Sequence, residues 1–266
     1  MPTPTWGSWT VSGIALSLAI ACGSSAPPPP PPSTTSGHEE AERPPPPPPP
    51  ASVRVVHASA DPGLGTLSIA LDEASPIVTD LAAGSASAAI EVPAGAHSLR
   101  VLGVASVETH EAPLVLTTNV ELARGSRAIL LVVGEPAAEP PLTVSVLDED
   151  ASGTSTRARI VHGLIGVAAI DVCVAGAAIA PALASGAISP VTPIVEGATA
   201  LELHAASGTA CHGRSLGIAH ATLSAGTSYV IALSGQLGRR GRLAGSFVVC
   251  SEGSSGACEN VALVAR

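Results

Sequence analysis

The chain has 266 residues, a net charge of -9, twelve arginines, no lysine, and only 2% aromatic residues. An acidic chain without clustered basic residues lacks the phosphate-neutralising surface that nucleic-acid binding requires, and without lysine there is no Schiff-base or lysine-nucleophile chemistry. So few aromatics also disfavour stacking platforms for sugars or bases.

The first element is an apolar run, Val11 to Ala21, too short to span a bilayer as a helix but of the length of a signal-peptide core. It ends Leu18-Ala19-Ile20-Ala21-Cys22-Gly23, which resembles the bacterial lipobox. In that signal the peptide is cut before the cysteine, and the cysteine carries the lipid. Residues 1–21 are therefore expected to be a signal peptide and Cys22 a lipidation site that tethers the chain to a membrane. The plainer alternative is an ordinary cleaved signal with an incidental cysteine. Both tryptophans, Trp6 and Trp9, fall in the removed segment, which leaves Tyr229 and Phe247 as the aromatic residues of the mature chain.

Residues 22–51 form a linker with proline runs at Pro27 to Pro32 and Pro44 to Pro50. Such runs adopt extended polyproline II and act as semi-rigid spacers. A stalk that holds the folded part off the membrane is expected rather than a ligand for a groove-binding module.

From Ser52 onward, short apolar runs are separated by Gly, Pro, Asp and Ser, the pattern of β-strands in a sandwich, and no long stretch has helical periodicity. The pattern occurs twice. Arg54-Val55-Val56-His57 returns as Arg159-Ile160-Val161-His162. Leu67, Ile69 and Leu71 alternate with small or polar residues as Ile170, Val172 and Val174 do. Leu81 to Gly84 matches Leu183 to Gly186, Ser98 to Val101 matches Ala200 to Leu203, Leu122 to Gly125 matches Leu223 to Gly226, and Gly134 matches Gly235. The expectation is an all-β protein with two tandem immunoglobulin-like or transthyretin-like β-sandwich domains, residues 52–150 and 157–266, joined by a linker at 151–156.

The run Val53 to Pro62, a following alternating strand, and Glu91-Val92-Pro93-Ala94-Gly95-Ala96-His97-Ser98-Leu99-Arg100-Val101 resemble the bacterial domain-of-unknown-function 4397 family. The resemblance covers Ser52 to Asp150 and, more loosely, Thr156 to Ser251. The second copy departs after His162, where Gly163-Leu164-Ile165-Gly166 replaces the Ala-Ser-x-Asp-Pro turn, and has Val195-Glu196-Gly197-Ala198 where Val-Pro-Ala-Gly is expected. The resemblance implies secreted or surface β-sandwiches with no assigned catalytic residues.

Beyond Cys22 there are Cys173, Cys211, Cys250 and Cys258, all in the second copy. An even count in an exported chain argues for disulfides, and three pairings exist. The short polar segment between Cys250 and Cys258 favours that pair, and hence Cys173 with Cys211. Strand alternation places Cys173 on the outward face, within reach of a loop cysteine. No CxxC, HxH or HExxH spacing points to a metal site.

His57 and His162 occupy the same place in each copy. They are either a paired ligand or base, or structural rings that cap turn backbone, with Asp61 assisting in the first copy; the second reading is preferred, because a catalytic base needs a partner within hydrogen-bond reach. Asp148-Glu149-Asp150 has the look of a calcium ligand run but reads better as a solvated acidic linker. Arg239, Arg240 and Arg242 form an exposed hairpin tip, read first as a charged, soluble turn, with a contact for anionic headgroups or cell-wall phosphates as the lesser alternative. No nucleophile elbow, phosphate loop or dinucleotide fingerprint occurs. The reading as a whole is a non-enzymatic lipoprotein of the cell envelope with no cofactor, whose partners are the membrane and envelope or surface proteins. The competing reading is a protein that binds a small molecule, a glycan or a metal ion.

Overall fold

The described residues contain strands and turns but no helix. In the computed structural model they are 48–103, 113–136, 141–149, 153–238, 242–254 and 258–264, all in one compact unit, Pro47–Arg266. The first half comprises β1 (Ala51–His57), β2 (Thr66–Leu71), β3 (Val78–Ala82), β4 (Ser85–Ala86), β5 (Ile90–Val92), β6 (Gly95–Leu102), β7 (Leu114–Leu122), β8 (Arg127–Val133) and β9 (Thr143–Asp148). The second comprises β10 (Arg157–Ile165), β11 (Ala169–Val174), β12 (Ala177–Ala184), β13 (Thr192–Pro193), β14 (Gly197–Ala205), β15 (Ser215–Leu223), β16 (Ser228–Leu237), β17 (Leu243–Ser251) and β18 (Glu259–Ala262).

Each half is a pair of sheets. The first half has β4-β1-β8-β9, with β5 also on β1, facing β3-β2-β6-β7; the second has β13-β10-β16-β17-β18 facing β12-β11-β14-β15. In both, the first strand runs parallel to its neighbour, β1 to β8 and β10 to β16, whereas the other ladders are antiparallel. The chain between the two parallel strands supplies the facing sheet, which is the crossover that parallel pairing demands.

The two halves correspond down to single bonds. Gly84 N–H donates to the His57 carbonyl and Gly186 N–H to that of His162, both at 2.8 Å. Val55 N–H reaches Ser87 Oγ, and Ile160 N–H reaches Ser189 Oγ, both at 2.9 Å. Non-glycine residues sit at positive φ in matching places, Asp72 with Ala175 and Asp80 with Ala182, although such backbone is uncommon for residues with a side chain. Pairing of Gly95 with Leu122 and of Gly197 with Leu223 makes those two glycines equivalent. Ile194 to Gly197 is thus the counterpart of Val92 to Gly95, one residue away from the match drawn on sequence.

Three apolar layers hold four sheets. One lies inside the first half around Val53, Val55, Leu99 and Leu130, and another inside the second around Ile160, Ile170, Leu201 and Phe247. The third packs Val56, Ile129, Leu131 and Val133 against Val161, Val230, Ala232 and Val248. The two inner sheets are therefore buried on both faces, which is why β8 (Arg-Ala-Ile-Leu-Leu-Val-Val) and the first residues of β16 (Ser-Tyr-Val-Ile-Ala-Leu) are nearly continuous apolar runs. The face of β1 that carries Arg54 and Val56 meets the face of β10 that carries Arg159 and Val161. At Gly163 the backbones come close; a Cβ there would run into the carbonyl oxygens of Ala58 and Leu233.

Candidate functional site at the junction of the halves

Arginine recurs at the first position of the repeated tetrapeptide, in the middle of an apolar strand, and strand alternation turns it toward the layer between the halves. Arg54 is 1% exposed. Its guanidinium lies 3.9 Å from Glu149 Oε1, donates to the Ser254 carbonyl at 2.8 Å, and reaches Cys258 Sγ at 3.6 Å. Glu149 also pairs with Arg127 at 3.1 Å and accepts from Gly253 N–H at 2.9 Å. The counterpart, Arg159, pairs with Glu252 at 3.6 Å and donates to the Asp148 carbonyl at 3.2 Å. Glu149 N–H bonds the Arg127 carbonyl as Glu252 N–H bonds that of Ser228, so the two acids are equivalent as well. Each arginine therefore pairs with an acid of its own half and reaches backbone of the other. Asn260 Nδ2, donating to the Gly84 carbonyl, adds another cross-link.

Glu149 thus departs from the expectation of a solvated acidic linker: its side chain is 3% exposed and ion-paired. Desolvation explains the arrangement, since a buried carboxylate is tolerated only with charged and hydrogen-bonding partners. Asp148 is exposed, and Asp150 lies outside the described residues.

The disulfides are Cys173–Cys211 and Cys250–Cys258. The second closes the turn after β17 and so holds Gly253 and Ser254 against Glu149 and Arg54. The first lies on the outer face of β11, away from the core-facing Ile170, Val172 and Val174, as alternation requires. It is not open to solvent, however: Cys173 is fully buried beneath the loop that carries Cys211. Beside it, buried Asp171 accepts from Ala182 N–H at 2.7 Å and Cys211 N–H at 3.2 Å, which ties that loop to the sheet. The first half has Ala70 in place of Cys173; Thr109 lies outside the described residues.

The paired histidines are buried completely, beyond the partial burial expected of a turn cap. Their rings are used differently. His57 Nδ1 donates to the Leu81 carbonyl at 3.1 Å, whereas His162 Nδ1 accepts from Leu164 N–H at 3.2 Å. The protonated nitrogen is therefore Nδ1 in one ring and Nε2 in the other, and neither Nε2 meets a partner at hydrogen-bond geometry. Burial lowers both pKa values, that of His162 to about 4, against the opposing pull of backbone carbonyls at Leu81 and Val167. Asp61 does not assist His57; its Oδ1 accepts from Gly63 N–H at 2.7 Å within its own turn. Two rings with opposite tautomers and no shared partner do not form a twin site.

In the first half, His97 donates from Nδ1 to Asp72 at 2.8 Å and from Nε2 to the Pro93 carbonyl at 2.9 Å. The hydrogen bond to Asp72 raises the His97 pKa and lowers that of the carboxyl. In the second half Thr199 takes the histidine's place and bonds the equivalent carbonyl, Val195, at 2.9 Å.

Two clefts open beside the junction. One, of about 300 Å3, is lined by Gly134, Glu135, Ser185 and the residues from His162 to Ala168. The other, of about 430 Å3, is lined by hydroxyls, including Thr222, Thr227 and Tyr229, and by Glu252 and Glu259. Tyr229 and Phe247 are buried, and the tyrosine hydroxyl accepts from Ser224 N–H at 2.7 Å. Among the described residues, no three His, Cys, Asp or Glu side chains gather as metal ligands would. Leu237 and Leu243 close a hairpin beneath exposed Arg242, while Arg239 and Arg240, like Cys22 and the chain through Pro47, lie outside the described residues.

Residues 51–163 match the model of a family described as a domain of unknown function (DUF4397). The match spans the first half and reaches into β10. No curated protein matches the chain.

Proposed function

We propose that this chain is a non-enzymatic lipoprotein of the cell envelope, in which two copies of one immunoglobulin-like or transthyretin-like sandwich form a rigid body carried on a proline-rich stalk from a lipid at Cys22. The observation that carries this reading is the use made of the charged groups at the repeated strands. Arg54, Arg127, Glu149, Arg159 and Glu252 are all engaged in joining one half to the other or in bracing that joint. Buried charges placed in this way specify how sheets meet; they do not hold and release a substrate. Equivalent faces of the two halves meet, with Gly163 against the Ala58 carbonyl, as equivalent patches do in an isologous dimer. The two disulfides agree with an oxidising compartment outside the cytoplasm. The body then presents its outer edges to envelope or surface proteins.

Fractionation of cells expressing the full chain tests the anchor. The native protein is expected with membranes and the Cys22→Ala variant in the soluble fraction; equal membrane attachment of both would overturn lipidation at Cys22. Crosslinking in intact envelopes, followed by purification of the native chain, tests the presentation role by recovery of a defined protein partner.

A further inference from the structure

The two halves differ at the seam between their last strands. In the second half, the C-terminal segment closes it. β18 adds to the edge of β17, pairing Ser246 with Ala262, Phe247 with Val261 and Val249 with Glu259. The segment then crosses to the other sheet, where Val264 and Ile218 exchange backbone bonds at 2.8 and 3.0 Å. Leu263 fills the gap so tightly that a Cβ on Gly217 would lie 2.8 Å from its Cγ. Phe247, Val249, Leu216 and Ile218 are buried under this cover.

The ladder registers make Val144 and Val146 of β9 equivalent to Phe247 and Val249, and Val115, Leu116 and Thr117 of β7 equivalent to Leu216, Gly217 and Ile218. In the first half these residues are half-buried or exposed, and Leu114 at the rim is 59% exposed. Among the described residues nothing pairs with the outer edge of β9, which ends its sheet. The reason lies in the connectivity: after Glu149 the chain leaves to begin β10, so the first half has no terminal segment of its own to lay there. An unpaired edge beside apolar side chains is a template for strand addition.

We propose that the seam between β7 and β9 is a docking site for an extended segment of a partner protein, apolar at alternate positions, which adds as an antiparallel strand to β9 as β18 adds to β17. The second half supplies the form of the occupant. The inference rests on the equivalence of the two copies, not on lipid anchorage, so fractionation of the Cys22→Ala variant and the test below can fail independently.

The probe is a synthetic peptide with the sequence of residues 259–264, added to the full chain. Hydrogen exchange is expected to slow on amides of Thr143 to Asp148 and Leu114 to Thr118. Leu114→Glu, at an exposed rim position that does not threaten folding, is expected to weaken the peptide at least tenfold. A Val144→Cys variant is expected to form a disulfide with a peptide bearing cysteine at the place of Val261, while Glu121→Cys is not. The proposal is overturned if exchange is unchanged, if it changes only on β15 and β17, if the β9 amides that face away from β8 are already protected without peptide, or if Leu114→Glu binds as the native chain does.

Discussion

The Cys250–Cys258 bridge is expected to stabilise the protein through the junction as well as through the unfolded chain, and the two contributions can be separated. Closing loops of 38 and 8 residues removes chain entropy worth about 4 kcal/mol for Cys173–Cys211 and about 2.5 kcal/mol for Cys250–Cys258. The shorter bridge also fixes the turn whose Gly253 N–H meets Glu149 and whose Ser254 carbonyl meets Arg54. Bonds to charged groups contribute about 1.5–3 kcal/mol each, so loosening that turn adds a cost that depends on Arg54 being present. The assay is urea unfolding followed by the β-sheet band in circular dichroism, since both tryptophans, Trp6 and Trp9, precede the first strand in the sequence. Cys250→Ala/Cys258→Ala and Arg54→Ala are measured singly and together, with Cys173→Ala/Cys211→Ala as the control pair. The junction bridge is expected to couple to Arg54 by at least about 1 kcal/mol and the control bridge to add to it independently. Additivity of the junction bridge within about 0.5 kcal/mol would refute the reasoning and leave loop entropy as the whole account.

Buried neutral His162 makes stability depend on pH in a stated direction. Its folded pKa is lowered to about 4, so as pH falls from about 6.5 to about 4 the unfolded chain takes up the proton first and about 3 kcal/mol of stability is lost; His162→Gln should flatten that slope in denaturant titrations. His97 acts in the opposite sense, because its pKa is raised: its contribution is present below about 6.5 and lost as pH rises through the folded value, and His97→Gln should remove that dependence. Asp171→Ala strands two N–H donors, those of Ala182 and Cys211, and should cost about 2–4 kcal/mol in unfolding free energy. Gly163→Val forces the Ala58 and Leu233 carbonyls aside and should cost about 1–3 kcal/mol in the same measurement.

Strands and the disulfide partners were legible because each has a local signature. Period-two alternation marked β2 and β11, and the short spacing from Cys250 to Cys258 picked out a pairing. The joining of the halves was not foreseen. Its signal was present in the failure of Ile129 to Val133 and Tyr229 to Leu233 to alternate, which marks strands covered on both faces. An apolar run does not say what covers it, so a flexible linker and a packed junction predict similar sequences. The buried acids were misread for a related reason. Glu149 stands in a run of three acids, and its burial depends on Arg54 and Arg127, far away in the chain. The histidines illustrate the converse: similar neighbours in sequence gave equivalent positions, but His57 Nδ1 meets the Leu81 carbonyl on β3 and His162 Nδ1 meets Leu164 N–H within β10, and these partners decide which ring nitrogen is protonated.

The short connection from β9 to β10 sets the strength of the joint as much as its contacts do. Two separate halves would have to find one another at whatever concentration their surroundings provide. Tied by so short a segment, the faces bearing Val56 and Val161 meet at an effective concentration of the order of millimolar. Assembly is then unimolecular and insensitive to dilution or expression level, and a contact too weak to sustain a free dimer suffices to hold the two sandwiches as one body.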